Sequence, residues 1–253
     1  MKINKLPYHI GFIIDGNGRW AKRRLLPRKF GHNEGVKAVK KTINACLDFG
    51  IKFCSFFVFS TENFKRDKEE IDNIFELLDD YIKSDLDEFN DKNIRLVISG
   101  DLSRLPENLQ KSLAKCIEKT KNNNRMIVNM CLNYGGRQDI INACNNAIKL
   151  GIERVDEESF KHLLYTKDLP DLDFVIRTSG EERLSNFMLY DLAYAELYFT
   201  KTLWPDFDKK TLTKALKDYN KRERRFGKAW GEYETKSYNS DYIEYCCCVS
   251  FCA

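Results

Sequence analysis

Short, unbroken apolar runs alternate along this chain with longer segments whose apolar residues recur at helical spacing. The runs are His9 to Ile14, Phe53 to Phe59, Ile94 to Ile98, Met126 to Leu132, Phe174 to Ile176 and Leu197 to Thr200. Continuous apolar runs of this kind mark strands covered on both faces. The stretches between them read as helices. One runs from His32 to Phe49 with apolar positions at Val36, Val39, Ile43, Cys46 and Leu47, and stops at Gly50. A longer one covers 67–91, with Ile71, Ile74, Phe75, Leu78, Ile82, Leu86 and Phe89 as its stripe. Others run from Pro106 through Lys121, from Arg137 to about Leu150, over 156–165 and over 208–225. Residues 20–31, basic and containing Pro27 and Gly31, suit a short helix or loop.

This alternation predicts an α/β fold: one domain with about six mainly parallel strands flanked by helices. No linker or internal repeat breaks it, so residues 1–228 are expected to form the domain. Residues 229–253, polar with irregular aromatics and a cysteine cluster, are expected to be a disordered tail.

Parallel sheets bind ligands beyond the carboxyl ends of their strands. The polar punctuation falls there: Asp15 to Arg19, Ser60 to Arg66, Asn133 to Arg137 and Arg177 to Ser185. Asp15 closes an apolar strand, where an unpaired carboxylate is costly unless it meets a cation or a metal. Gly16 and Gly18 allow close backbone approach, and free N–H groups there could cradle an anion. A plain strand-to-turn aspartate is the other reading, because Asp-Gly and Asn-Gly are common turns. The spacing excludes a P-loop.

Arg177 and Arg183, with Ser185, suit a diphosphate through the planar guanidinium fork. A solvated loop neutralised by Glu181 and Glu182 would also explain them. Glu196 is a lone acid in an aromatic run and needs a partner or a hard cation such as Mg²⁺. His32 opens a helix beside the basic segment, as an anion contact or as a cap. The stripe over 71–89 suits either core packing or the wall of a hydrophobic tunnel.

Composition removes several alternatives. The chain has 253 residues with 42 basic and 38 acidic, a net charge of +4. That balance gives no bulk argument for nucleic acid, so any anion site depends on local arginines. No apolar leader follows Met1, and no run reaches the roughly 20 apolar residues of a membrane span. The expected location is the cytoplasm, with peripheral membrane contact as an addition. There are 9 cysteines. Cys46, Cys54, Cys116, Cys131 and Cys144 stand singly in apolar segments and read as small buried hydrophobes. Cys246, Cys247, Cys248 and Cys252 cluster near the end, and Cys252 is misplaced for a prenylation box.

Taken together, several long segments resemble the cis-prenyltransferases, the family of undecaprenyl and dehydrodolichyl diphosphate synthases. They are His9 to Lys22, Phe30-Gly31-His32, Phe59 to Asn63, Asn133 to Arg137, Val175 to Glu181, Ala193 to Phe199, Leu203 to Phe207 and Arg222 to Gly227. The resemblance spans about residues 8 to 227 in order. It implies condensation of isopentenyl diphosphate with an allylic diphosphate, usually farnesyl diphosphate, to give a long cis-polyprenyl diphosphate for a glycosyl carrier lipid. It implies Mg²⁺ as cofactor, a homodimer and a tunnel for the growing chain.

Residue by residue, the resemblance makes Asp15 the magnesium-binding catalytic acid and Asn63 the candidate for proton removal. Gly16, Asn17, Gly18, Arg19 and Arg28 would hold the allylic diphosphate, with Trp20 and His32 lining that site. Ser60, Thr61, Glu62, Phe64 and Arg66 would form, with Asn63, a mobile loop over the reacting ends. Arg177, Arg183, Leu184 and Ser185 would bind isopentenyl diphosphate. Glu196 would complete the magnesium site, from this chain or a partner subunit. Arg225 and Gly227 match an element that reaches into the neighbouring site of a dimer. Two positions depart from the usual pattern: Phe64 stands where many members carry Trp, and Glu182 where His is frequent.

Two rivals follow. Asp79-Asp80 and Asp85 match the DDxxxxD spacing of all-helical trans-prenyl synthases, but no second such motif exists and the strands argue against that fold. Those acids are expected on the solvated face of a helix. The other rival is a catalytically weak accessory subunit of a heteromeric enzyme. The presence of both the Asp15 loop and the Arg-x-Gly element in one chain disfavours it.

Overall fold

The structure, a computed structural model, describes residues 3–223. Six strands form its centre: β1 (His9–Ile13), β2 (Phe53–Ser60), β3 (Ile94–Ser99), β4 (Met126–Tyr134), β5 (Phe174–Arg177) and β6 (Glu196–Phe199). Their order across the sheet is β3-β4-β2-β1-β5-β6. Every described pairing is parallel. The helices are α1 (Asn17–Arg23), α2 (Arg28–Phe49), α3 (Lys68–Asp91), α4 (Glu107–Thr120), α5 (Gly136–Lys149), α6 (Glu157–Lys161) and α7 (Lys209–Tyr219).

Both faces of the sheet are apolar because both are covered. One face, with Ile10, Phe12, Phe56, Val128 and Ile176, packs against α2, α3, α4 and α7. The other, with Ile13, Phe57, Ile127 and Val175, packs against Leu169, Leu172, Phe187 and Met188. This two-sided burial is why the strands read as unbroken apolar runs. Phe12 stacks on Phe56 with ring centroids 4.9 Å apart, locking β1 beside β2 beneath Trp204.

Helix α2 begins at Arg28, four residues before the expected start at His32. Gly31 is part of the helix rather than of a preceding loop. A Cβ on Gly31 would lie 2.0 Å from the Asn17 carbonyl oxygen, and one on Gly35 2.4 Å from Asn17 Oδ1. The glycines let α1 press its first turn against α2. Helix α6 spans only Glu157–Lys161, because Asp139 Oδ1 captures the Tyr165 amide at 2.8 Å just beyond it. Helix α7 ends at Tyr219, short of the expected 225.

Two expectations about side chains are corrected. Asp79 and Asp85 are buried, at 4% and 8% exposure, not solvated. Helix α3 lies between neighbours: Asp79 accepts from Lys83 at 2.6 Å and Asn108 of α4 at 3.0 Å, and Asp85 from Lys40 of α2 at 3.1 Å. Cys144 is exposed on α5, while Cys46, Cys54, Cys116 and Cys131 are buried as expected. The tail 229–253, and with it Cys246, Cys247, Cys248 and Cys252, lies outside the described residues. Among the described residues no helix is long and apolar enough to cross a membrane.

Candidate active site

Strands β1 and β5 are neighbours, and the connections that follow them leave in opposite directions: β1 leads to β2, β5 to β6. A crevice therefore opens between them at their carboxyl ends. Asp15 follows β1 and Arg177 ends β5. Arg177 donates from Nε and Nη2 to Asp15 Oδ2, at 2.9 and 2.7 Å. Arg177 is 3% exposed by side chain and Asp15 37%, so the carboxylate reaches toward the opening while its partner stays below.

The backbone around Asp15 is clamped. Its carbonyl accepts from Thr178 Oγ1 at 2.7 Å and from the Trp204 amide at 3.0 Å. Gly16 has φ 122°, and a Cβ there would meet Ser179 Oγ at 2.4 Å, so glycine is required on both counts. The loop after β5 is strained, with positive φ at Ser179, Ser185, Asn186 and Met188. It is over-determined by contacts that fix its course. Arg177 Nη1 donates to the Arg183 carbonyl and, at 2.8 Å, to Ser185 Oγ. Asn186 receives the Arg137 amide at 2.8 Å and donates to Glu62 at 3.0 Å.

A cavity of about 770 Å³ opens at this crevice. Its mouth is polar, lined by Asp15, Gly16, Asn17, Gly18, Arg19, Arg28, His32, Ser60, Glu62, Asn63, Arg66, Arg177, Arg183 and Ser185. Its depth is apolar, running between α2 and α3 past Val36, Val39, Ile74, Leu77, Leu78, Tyr81 and Met130. The stripe of α3 thus does two things: Phe75 and Ile82 pack in the core, while Ile74 and Leu78 line the cavity.

Other expected residues stand elsewhere. Trp20 faces away, donating to Asp206 at 2.7 Å beneath the Arg24 guanidinium. Phe64 packs with Phe59 and Phe75 and carries Arg104 on its ring. Thr61 and Leu184 are not among the cavity walls. Glu196 pairs with Phe174, the first residue of β5, whereas Arg177 is the last. Three residues of strand, roughly 10 Å, separate it from the crevice. There it binds Arg222 at 2.9 Å. Arg225 and Gly227 lie outside the described residues.

Glu70 lines the mouth and was not singled out from the sequence. It accepts from Arg28 at 2.8 Å and Arg66 at 3.2 Å, joining α2 to the loop after β2. Its Oε1 lies 3.5 Å from His32 Nε2, too far for a firm hydrogen bond. Burial would raise the Glu70 carboxyl, but the Arg28 hydrogen bond and the charges of Arg66 and Arg28 outweigh it and hold it below its usual range. Burial lowers the His32 imidazole, against the opposing charge of Glu70. Asn17 Oδ1, His32 Nε2 and Ser179 Oγ are buried without a partner. Two of them, on Asn17 and His32, belong to residues that line the mouth, where a polar ligand would satisfy them.

The family model described as "Putative undecaprenyl diphosphate synthase" matches residues 13–227. The chain belongs to this prenyltransferase family. An isoprenyl transferase of Fusobacterium nucleatum subsp. nucleatum is 48% identical over 222 residues, covering 88% of this chain and 96% of that protein. One from Clostridium tetani is 45% identical over 233 residues, covering 90% and 91%. Among solved structures, lavandulyl diphosphate synthase from Lavandula x intermedia, in complex with dimethylallyl diphosphate, superposes with TM-score 0.85 at 37% identity, over 88% of this chain and 99% of that one. A probable undecaprenyl diphosphate synthase from Campylobacter jejuni does so with TM-score 0.76 at 37% identity, over 89% and 100%. The sequence expectations of family and of an all-in-one α/β fold therefore hold, and the sheet is wholly parallel among the described strands.

Proposed function

We propose that this prenyltransferase elongates an allylic diphosphate, farnesyl diphosphate in the first instance, with isopentenyl diphosphate to give a long cis-polyprenyl diphosphate for a glycosyl carrier lipid. The observation that carries the reading is the cavity: an arginine-rich mouth around Asp15 continues into an apolar channel. That shape suits a molecule with a diphosphate head and a hydrocarbon body. The lavandulyl relative's dimethylallyl diphosphate is itself such a molecule.

In this reading Gly16, Asn17, Gly18, Arg19 and Arg28 receive the allylic diphosphate, and His32, as a neutral imidazole, offers a ring N–H. Arg177, Arg183 and Ser185 receive the isopentenyl diphosphate. Cleavage of the allylic C1–O bond places negative charge on the departing diphosphate, and preorganised guanidinium groups stabilise it more than the ground state. The double bond of isopentenyl diphosphate supplies the electrons of the new carbon–carbon bond, and the resulting cation then gives a proton from C2 to an oxygen of the departing diphosphate. Asn63 lines the mouth, where its amide could guide that proton. Holding both substrates makes their encounter effectively intramolecular.

The donor set fits Mg²⁺. Arg177 uses only Oδ2 of Asp15, so Oδ1 remains available. A magnesium ion is commonly held by one or two carboxylates, with phosphate oxygens and water completing its shell. When bound, it would neutralise charge on the leaving diphosphate. Among the described residues no group of three acids, histidines or cysteines forms a metal cluster, so substrate oxygens must supply the balance. Glu196 would join only from a second subunit, which fits the homodimer proposed here. A cytoplasmic enzyme with peripheral membrane contact completes the reading.

The test is incubation of the full chain with farnesyl diphosphate, labelled isopentenyl diphosphate and Mg²⁺, with chromatography of the products. A ladder ending in long polyprenyl diphosphates is expected. Absence of any elongated product overturns the reading.

A further inference from the structure

The corner joining α1 to α2 holds three apolar side chains in solvent. Leu25 is 95% exposed, Phe30 44% and Leu26 39%. The corner closes as a Schellman turn: the Leu26 amide donates to the Ala21 carbonyl at 3.0 Å and the Leu25 amide to Lys22 at 3.2 Å. Leu25 consequently takes the left-handed position, with φ 56°, where glycine is the ordinary residue. Its backbone is strained and its side chain is in water, so neither favours folding. Single exposed hydrophobics need no explanation, but three within six residues form a patch.

Cations surround that patch. Between Asp15 and Glu34 there is no acidic residue and there are six basic ones. Arg19, Arg24 and Arg28 are engaged by Glu181, Asp206 and Glu70. Among the described residues Lys22, Arg23 and Lys29 have no carboxylate partner, and Lys29 stands 5.9 Å from the Phe30 ring centre. An apolar tip set in unpaired cations matches what an anionic bilayer accepts: side chains enter the acyl boundary and the cations meet headgroups. A protein partner fits less well, because a stable interface needs about 800 Å² on each side and the corner is a few residues wide.

We propose that this corner docks the protein on an anionic phospholipid surface, with Leu25, Leu26 and Phe30 inserted and Lys22, Arg23 and Lys29 facing the headgroups. Arg28, three residues beyond Leu25, lines the cavity mouth, so docking holds that mouth beside the bilayer. The inference stands on exposure and charge and is independent of the reaction proposed above.

The test is co-sedimentation of the full chain with vesicles of phosphatidylcholine, with and without phosphatidylglycerol. Leu25→Gly is expected to weaken binding by about tenfold, the partition of one leucine side chain, while raising Tm by relieving the left-handed strain. The double variant Arg23→Glu, Lys29→Glu is expected to lose at least about fivefold for each charge removed, with the loss shrinking at high salt. All variants carry residues 224–253, so any binding by that segment cancels. Equal binding by wild type and variants, no binding by wild type, or equal binding to neutral and anionic vesicles would each overturn the proposal. So would variants that change the sedimenting mass of the free protein and leave vesicle binding intact, which would mark the corner as a protein interface.

Discussion

Arg177 grips one oxygen of Asp15 with two of its nitrogens, at 2.9 and 2.7 Å, and leaves the other oxygen free. This joins the ends of two adjacent strands and aims the Asp15 side chain into the mouth of the cavity. Asp15→Asn keeps an oxygen for the guanidinium and removes the charge. Its turnover is expected to fall by a factor of at least about 10²–10³, the usual cost of removing one electrostatic element from an active site. Stability should fall by only about 1–3 kcal/mol, the worth of a charged hydrogen bond. Steady-state kinetics beside urea unfolding separates the two. A variant elongating farnesyl diphosphate at a comparable rate removes Asp15 from the chemistry.

Glu70 neutralises Arg28 and Arg66 in the ligand-free protein, so an incoming diphosphate must compete with it. Glu70→Gln should bind inorganic diphosphate about tenfold more tightly, a difference of roughly 1.4 kcal/mol. Isothermal titration measures it directly. Weaker binding would mean that Glu70 aligns the arginines rather than competing for them.

The apolar depth of the cavity makes a claim about product size. Ile74 is half-buried on α3 and lines that depth. Ile74→Trp fills it without emptying any core position, so products should become shorter while the first condensation persists. Chromatography of the polyprenyl products reads the change. An unaltered chain-length distribution would mean that the hydrocarbon runs elsewhere.

His9 offers a pH test far from the site. It is fully buried, with Nδ1 2.8 Å from the Pro170 carbonyl and Nε2 2.8 Å from Ser55 Oγ. Burial dominates and pushes its pKa down from 6.5 to about 4. A depressed histidine favours the neutral form in the fold, so its contribution is complete above the unfolded value. It is lost as pH falls from 6.5 toward 4, by on the order of 3 kcal/mol. His9→Gln should be less stable at pH 7 but lose less between pH 6.5 and 4.5 than wild type in urea titrations. Parallel losses in the two proteins would assign the acid sensitivity to other groups.

Much of the site was legible because the sheet exposes its polar residues only at its ends. An acid closing the run Phe12-Ile13-Ile14, and an arginine closing Phe174-Val175-Ile176, had to lie at one edge of a parallel sheet. Neighbouring β1 and β5 then brought them into contact. Glu70 was hidden because its role depends on α3 crossing α2, and its sequence context is that of any exposed helical acid. The burial of Asp79 and Asp85 was hidden for the same reason. The sequence alone places Gly31 in the short helix or loop before α2, because its close approach to Asn17 is a tertiary contact that the sequence does not display. Glu196 was legible as a lone acid, but its place beside Phe174, at the opposite end of β5 from Arg177, follows from register, which the apolar pattern of a four-residue strand does not specify.

That separation leads to the last prediction. If Glu196 serves the site, it serves the site of a second subunit, because in its own chain it binds Arg222 at the far edge of the sheet. Asp15→Asn and Glu196→Gln would then impair different halves of a shared centre. Each variant alone is expected to be nearly inactive. Unfolding and re-forming an equal mixture should restore about a quarter of wild-type activity, because half the dimers are mixed and one of their two sites is intact in a two-fold arrangement. No recovery, with mixed dimers confirmed by differently tagged subunits, would restrict Glu196 to its bond with Arg222.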